Sequence, residues 1–389
     1  MNETPAWVLV TTSFPIGNDG SEAAGSFVSD LAEELAHHVP VRVVAPGPRS
    51  MREAWAEGVE VFRFAAPDKP LSTLKPWNPG DLLDIRRVLN AGMDATRLAA
   101  QAGPTAHILA LWALPSGHWA QRVSSECAIP YSVWTLGSDI WTLGRMPIVR
   151  GYVRRVLQHA HTCYSDGYKL AADTHRLSGR DVQFLASTRR MEGARQRPLK
   201  SAPPYRLLFL GRWHPNKGVD LLLDALAQLS DADWQKIEVF DIHGGGPMES
   251  AVRDRVQALK RSGRPVAVGG YLDKPAAEKI IGAADYVVIP SRIESIPVVF
   301  SDAVKLGCPV ITTPVGDLKE LVEADPPCGL VADAVSAAAI AAAISSAVNR
   351  PADSFSTGLE RAARMFDLAS VANRVLATAD SHDQHSAQG

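Results

Sequence analysis

The stretch RLLFLGRWHPNKGVDLLLDAL (206–226) passes from a strand through a tight turn into a helix. RLLFLG (206–211) is a short apolar run ending in glycine, and from about Val219 apolar residues recur at helical spacing. A strand feeding a helix in this way is one unit of a doubly wound α/β sheet, whose ligands bind beyond the carboxyl ends of the strands. Arg212 and Lys217 stand on the loop at that end. A guanidinium and an ammonium beside a helix N-terminus can receive a diphosphate. On an unremarkable loop the same two residues would be solvated cations.

Downstream the alternation continues through IEVFDIHG (237–244), a helix from about Pro247, VAVGG (266–270), DYVVIP (285–290), a helix from about Val298 and PVITT (309–313). The loop HGGGPME (243–249) lets backbone N–H groups come close to a phosphate or base, although alone it reads equally as a plain turn. Past DYVVIP, Glu294 lies at a helix mouth and Asp302 one to two turns in. Between them Ser295, Ile296, Val298 and Val299 offer backbone N–H groups to an anion or a sugar hydroxyl. Two such carboxylates can accept from paired hydroxyls, or simply favour the helix dipole and face water.

Upstream, WVLVTTS (7–13), VRVVAP (41–46), VEVFRF (59–64), HILAL (107–111), YSVWTL (131–136) and HTCYS (161–165) read as strands between helix-sized segments, including 81–102. A loop with Gly17, Gly20 and Gly25 follows the first. The polar, Pro-rich stretch 189–204 interrupts the pattern and reads as a linker. The expected division is therefore an N-terminal domain over 1–195, a C-terminal domain over 196–365, a last helix over 366–380 and a flexible tail over 381–389.

At 389 residues, with ~150 per domain, two to three domains are expected. Forty Lys+Arg against 42 Asp+Glu give a net charge of −2, which argues against nucleic acid as a partner. Hydrophobic residues at 46% supply a large core. No apolar run approaches the ~20 residues of a membrane helix, and Ala337–Val348 reads as a soluble helix. The start MNETPAW lacks the basic residues of a secretory leader, so the reading is cytoplasmic. Cys127, Cys163, Cys308 and Cys328 form no CxxC pair; reduced thiols without structural zinc are expected.

The order GR-x4-KG, GGGP, PS-x2-E-x7-D and GCPVITTPVG over about 205–325 resembles the C-terminal half of family-4 retaining glycosyltransferases (glycosyl transferases group 1). TTSFP…GSFVSDLAEELA…VRVVAP, LWALPSG and GSDI (137–140) resemble their N-terminal half more loosely. The resemblance implies a GT-B fold: two Rossmann-like doubly wound domains facing a cleft, with the last helix crossing back to the N-terminal domain. It implies that Arg212 and Lys217 contact the diphosphate of a nucleotide-diphosphate sugar and that Asp302 chelates ribose. Glu294 with the 295–299 backbone would hold the sugar. The Gly244–Gly246 loop and Tyr271 would lie near diphosphate and base, and Gly25 would approach the diphosphate from the other domain. The chain departs from the family at three places. Asp302 stands where Glu is usual, Leu136 replaces the histidine of HGSD, and LASTRR (185–190) takes the place of an NGVD-like stretch.

Arg212, Lys217 and helix N-termini can neutralise a departing diphosphate, so neither metal nor cofactor is expected. DAD (231–233) matches a metal-binding DxD only by its letters. In the family the transfer is same-face attack, with Glu294 as a covalent nucleophile the lesser variant. Two other functions fit the architecture: a nucleotide-sugar epimerase, and a non-catalytic sugar-nucleotide or glycan-binding protein, the latter motivated by Leu136. The acceptor is a glycan or a lipid-linked sugar, with Ser138, Asp139 and His118 as candidate contacts. Seven of the nine tryptophans precede the linker, where they read chiefly as core. The basic amphipathic stretch RMPIVRGYVRRVLQ (145–158) packs one face on its own sheet or rests on anionic lipid at the inner membrane face.

Overall fold

The computed structural model describes residues 4–17, 25–67 and 78–386. The chain divides into two compact units, one built from residues 1–186 and 368–389, the other from 187–367.

The strands of the first unit are β1 (Ala6–Val10), β2 (Val41–Gly47), β3 (Met51–Ala56), β4 (Val59–Ala65), β5 (Thr105–Leu111), β6 (Tyr131–Thr135), β7 (Cys163–Ser165) and β8 (Val182–Phe184). They form a sheet in the order β3-β4-β2-β1-β5-β6-β7-β8, parallel throughout except for β3 on β4. Both neighbours of β1 are parallel to it, with Trp7 opposite Val41 on β2 and His107 on β5. All five residues of β1 are buried, as a strand covered by helices on both faces requires. The helix Pro79–Gln101 starts where the Asn78 side chain accepts from the N–H groups of Gly80 and Asp81, with proline in the first turn. Trp119 and Trp134 are fully buried, and Trp119 meets Phe64 edge to face at 5.3 Å.

The second unit holds β9 (Tyr205–Leu210), β10 (Ile237–His243), β11 (Val266–Gly269), β12 (Tyr286–Ile289), β13 (Val310–Thr312) and β14 (Gly329–Val331). Their order is β11-β10-β9-β12-β13-β14, all parallel. The order reverses between β9 and β12, so the loops after these two strands flank a switch point where such sheets open a crevice.

The basic stretch read as a linker belongs to the second unit. Arg195 donates to the carbonyls of Ala284 (2.7 Å) and Gly307 (3.2 Å), and Arg197 to that of Ala283 (2.9 Å) and to Asp285 (3.0 Å). Arginines here satisfy carbonyls left open where helices end. The first unit thus ends at Ala186, short of residue 195. The last helix, Leu368–Ser386, packs on the helix Ser26–Ala36, which returns the chain to the first unit. It continues through the polar residues 381–386 that composition reads as a tail; extending an anchored helix is easier than starting one. No helix among the described residues is long and apolar enough to cross a membrane, and all four cysteines are free.

Candidate functional site

The second sheet's carboxyl edge is assembled from three loops. After β9, the N–H of Gly211 donates to His243 O (3.1 Å) and that of Trp213 to Gly245 O (2.8 Å), while Met248 N–H returns to Trp213 O (3.2 Å). The buried Trp213 therefore fastens the Arg212 loop to the triple-glycine loop. Close approach explains the glycine: at Gly244, with φ +149°, a Cβ would stand 1.9 Å from Gly211 O. Tyr271 covers the same loop, its hydroxyl donating to Gly245 O at 2.7 Å.

The turn Pro215–Lys217 ends at Gly218, in the left-handed region, before the helix Val219–Leu226. A Cβ at Gly218 would meet Pro290 O at 1.9 Å, so this loop and the one after β12 touch through backbone. Arg292 reinforces the contact with two bonds to Asp220 (2.8 and 2.6 Å) and one to Pro215 O (2.6 Å), and its guanidinium holds the Asp220 carboxyl below the usual range. Sequence reading missed Arg292; its place inside PSRIE beside the loop of a basic pair was the available signal.

Across this junction Lys217 Nζ donates to Glu294 Oε1, which also accepts from Ser291 Oγ at 3.1 Å. Two residues 77 positions apart, singled out separately from sequence, thus form one ion pair. Arg212 is exposed and its guanidinium has no partner among the described residues. The backbone N–H groups of Ser295, Ile296, Val298 and Val299 likewise have no protein acceptor among the described residues. They precede or open the helix Val298–Lys305. An uncompensated cation, a carboxylate already bridged to a second cation and a run of free donors can bind an anion with hydroxyl-bearing substituents.

Asp302 is held differently. It is 1% exposed, and its carboxylate takes Arg189 Nη2 and, at 3.4 Å, Nε. Lys305 holds the same segment through Thr188 Oγ1 and the Arg189 carbonyl. Asp302 therefore anchors residues 188–189 here. DAD (231–233) is the helical turn Asp231–Trp234, closed by a capping box in which Asp233 accepts from Ser230. Asp233 also takes Ser345 Oγ at 2.7 Å. Among the described residues no group of His, Cys, Asp and Glu is arranged to hold a metal.

In the first unit, Gly25 has φ +79° and caps the helix Ser26–Ala36; a Cβ there would lie 2.6 Å from Phe14 N. Gly20 lies outside the described residues. His118 starts the helix His118–Cys127, and burial, then Arg122, lowers its pKa. Ser138 is exposed at the start of Ser138–Trp141. Asp139, expected beside it as a ligand contact, is fully buried. Its Oδ2 accepts from Ala113 N–H (2.8 Å) and its Oδ1 from Leu136 N–H (3.3 Å). Burial pushes its carboxyl up to about 6 against the pull of those N–H groups. Asp139 thus ties the loop after β5, where Trp112 adopts φ +70°, to the loop after β6.

Residues 204–350 match the family described as Glycosyl transferases group 1. Over 160 residues, 40% of this chain and 32% of the relative, the chain is 31% identical to a glycogen synthase of Acidiphilium cryptum. Alignments with curated relatives span from 20% to 56% of those proteins' lengths. Among solved structures, a sucrose-phosphate synthase of Thermosynechococcus elongatus superposes with a TM-score of 0.73 at 20% identity, covering 99% of this chain and 100% of that one. Anabaena HepE, solved with UDP and glucose, gives 0.68 at 16% identity over 97% and 100%. These likenesses establish the fold, GT-B, with its two Rossmann-like domains.

Proposed function

We propose that this chain, a group 1 glycosyl transferase over residues 204–350, moves a sugar from a nucleotide-diphosphate sugar to a glycan or lipid-linked acceptor in the cytoplasm, with retention and without a metal. The observation that carries the reading is the junction of the loops after β9 and β12. There Arg212 stands unpaired beside the Lys217–Glu294 bridge and the free N–H groups of 295–299. UDP and glucose bound to HepE support a nucleoside-diphosphate donor.

Breaking the bond to the departing diphosphate concentrates negative charge on its oxygens. Arg212 meets that charge directly. Lys217 turns from Glu294 toward the phosphate as charge develops, a contact stronger in the transition state than before it. Glu294, released, accepts from hydroxyls of the transferred sugar while the 295–299 backbone donates to it. Acceptor attack on the face the diphosphate leaves preserves the anomeric configuration, and a diphosphate oxygen takes the acceptor's proton. Within the second unit Tyr271 and Gly244–Gly246 line the diphosphate and base side; within the first, Gly25, His118 and Ser138 are the candidate ligand contacts. The relatives, named as transferases and synthases, favour transfer over epimerisation or simple binding.

NMR of the product formed from a donor of known anomer, in buffer with EDTA, tests the reading. Retention with full rate is expected. Inversion, or a rate lost in EDTA and restored by Mg²⁺ or Mn²⁺, would overturn it.

A further inference from the structure

The helix Pro147–His159 has a face that the fold leaves uncovered. Its inward side is settled, with Val153, Val156 and Leu157 buried. Tyr131 fixes that side by donating its hydroxyl to Val156 O at 2.6 Å. Outward, Ile148 is 82% exposed and Tyr152, one turn on, 53%; Met146, just ahead of the helix, is 43% exposed. Arg145, Arg150, Arg154 and Arg155 are exposed among them, and none of their guanidinium groups has a partner among the described residues.

In the same unit Arg52 is matched with Glu60, Arg97 with Glu126 and Arg176 with Asp173, while Arg49 and Arg86 are exposed without an acid partner among the described residues. The segment that carries this helix brings no acid of its own, since residues 140–165 contain neither Asp nor Glu. Four unmatched cations around three exposed apolar side chains are the composition of an interfacial helix, whose arginine stems lie along apolar surface while their heads meet phosphates.

We propose that this face docks on a bilayer rich in anionic lipid, with Met146, Ile148 and Tyr152 entering the headgroup boundary and Arg145, Arg150, Arg154 and Arg155 on lipid phosphates. A soluble polyanion would engage the arginines and leave Ile148 without a role. A second copy of this chain across a two-fold axis would set arginine against arginine. The helix follows directly on the loop after β6, the edge that carries Ser138. On the transferase reading, lipid docking there brings a membrane-anchored acceptor to that edge, while the docking itself stands independently of transfer.

The test is co-sedimentation of the full chain with vesicles of phosphatidylcholine alone and of phosphatidylcholine mixed with phosphatidylglycerol. The mixed vesicles should bind it and the neutral ones far less. Ile148→Asp and the double variant Arg150→Gln/Arg154→Gln should each lower binding about tenfold. Leu98→Asp, at an exposed leucine outside the face (63%), should change nothing. All these side chains are exposed, and unchanged melting temperatures will show that the fold is kept. Equal binding to both vesicle types, wild-type binding by Ile148→Asp, or an equal loss in Leu98→Asp would each overturn the proposal. So would a dimer in sedimentation that Ile148→Asp dissolves. Vesicle binding without sugar transfer would sustain this proposal while defeating the transferase reading.

Discussion

At the carboxyl edge of the second sheet the charged groups remain available, since Arg212 is exposed and, among the described residues, the Glu294 carboxylate is held by Lys217 and Ser291. At the same edge of the first sheet, Asp139 is buried and both its oxygens are taken by the backbone of Ala113 and Leu136. Asp302, within the second unit, behaves like Asp139 rather than like its motif partner Glu294. A carboxylate in a motif therefore acts on ligand or on scaffold according to burial and who already holds it, and its letter does not say which.

The largest expected effect separates these roles inside one motif. Arg189→Ala leaves Asp302 as an uncompensated buried charge and should cost about 3–5 kcal/mol in urea denaturation. A loss under ~0.5 kcal/mol would return Asp302 to the ligand-facing class. Next, Arg212→Ala should lower turnover by roughly 10²–10³-fold, with melting temperature unchanged because the side chain supports nothing in the fold. A stability loss of the same size would erase the contrast with Asp139.

Asp139→Ala should cost about 1–3 kcal/mol, the price of leaving the buried N–H of Ala113 without an acceptor. The pH dependence has a definite sign. The folded pKa, about 6, lies above the ordinary 3.8, so the folded state holds this proton more tightly than the unfolded chain. Asp139's contribution is full below about pH 4 and is lost as pH rises through about 6. The wild-type stability profile should fall across that window relative to Asp139→Ala, and parallel profiles would refute the assignment. Smallest of all, Ser138→Ala should move stability by less than about 0.5 kcal/mol; a larger shift would make Ser138 part of the scaffold too.

The parallel core strands and the three loops at the carboxyl edge of the second sheet were legible in the sequence because apolar runs, glycines and proline punctuate them locally. Strands β3, β8 and β14 were not. MREAWA (51–56) is a half-exposed edge strand, and VQF (182–184) and GLV (329–331) are too short to show a period. The Lys217–Glu294 pair was legible as two separate residues of one resemblance. The Arg189–Asp302 pair was not, because it joins a basic, aperiodic stretch to a helix 113 residues later and nothing local marks the meeting. Nor does sequence tell that Asp139 is inside, since a buried carboxylate is tolerated only once the loops after β5 and β6 have supplied N–H donors to it.

The central claim, that the loops after β9 and β12 form a receptor for a nucleoside diphosphate, is tested most directly by calorimetric titration. UDP, GDP, ADP, TDP and their sugar conjugates would be titrated into the wild-type chain and into Arg212→Ala. The account predicts selective binding of one nucleotide series, weakened about tenfold or more in the variant. No binding by any of them, or the same affinity in both proteins, would contradict it.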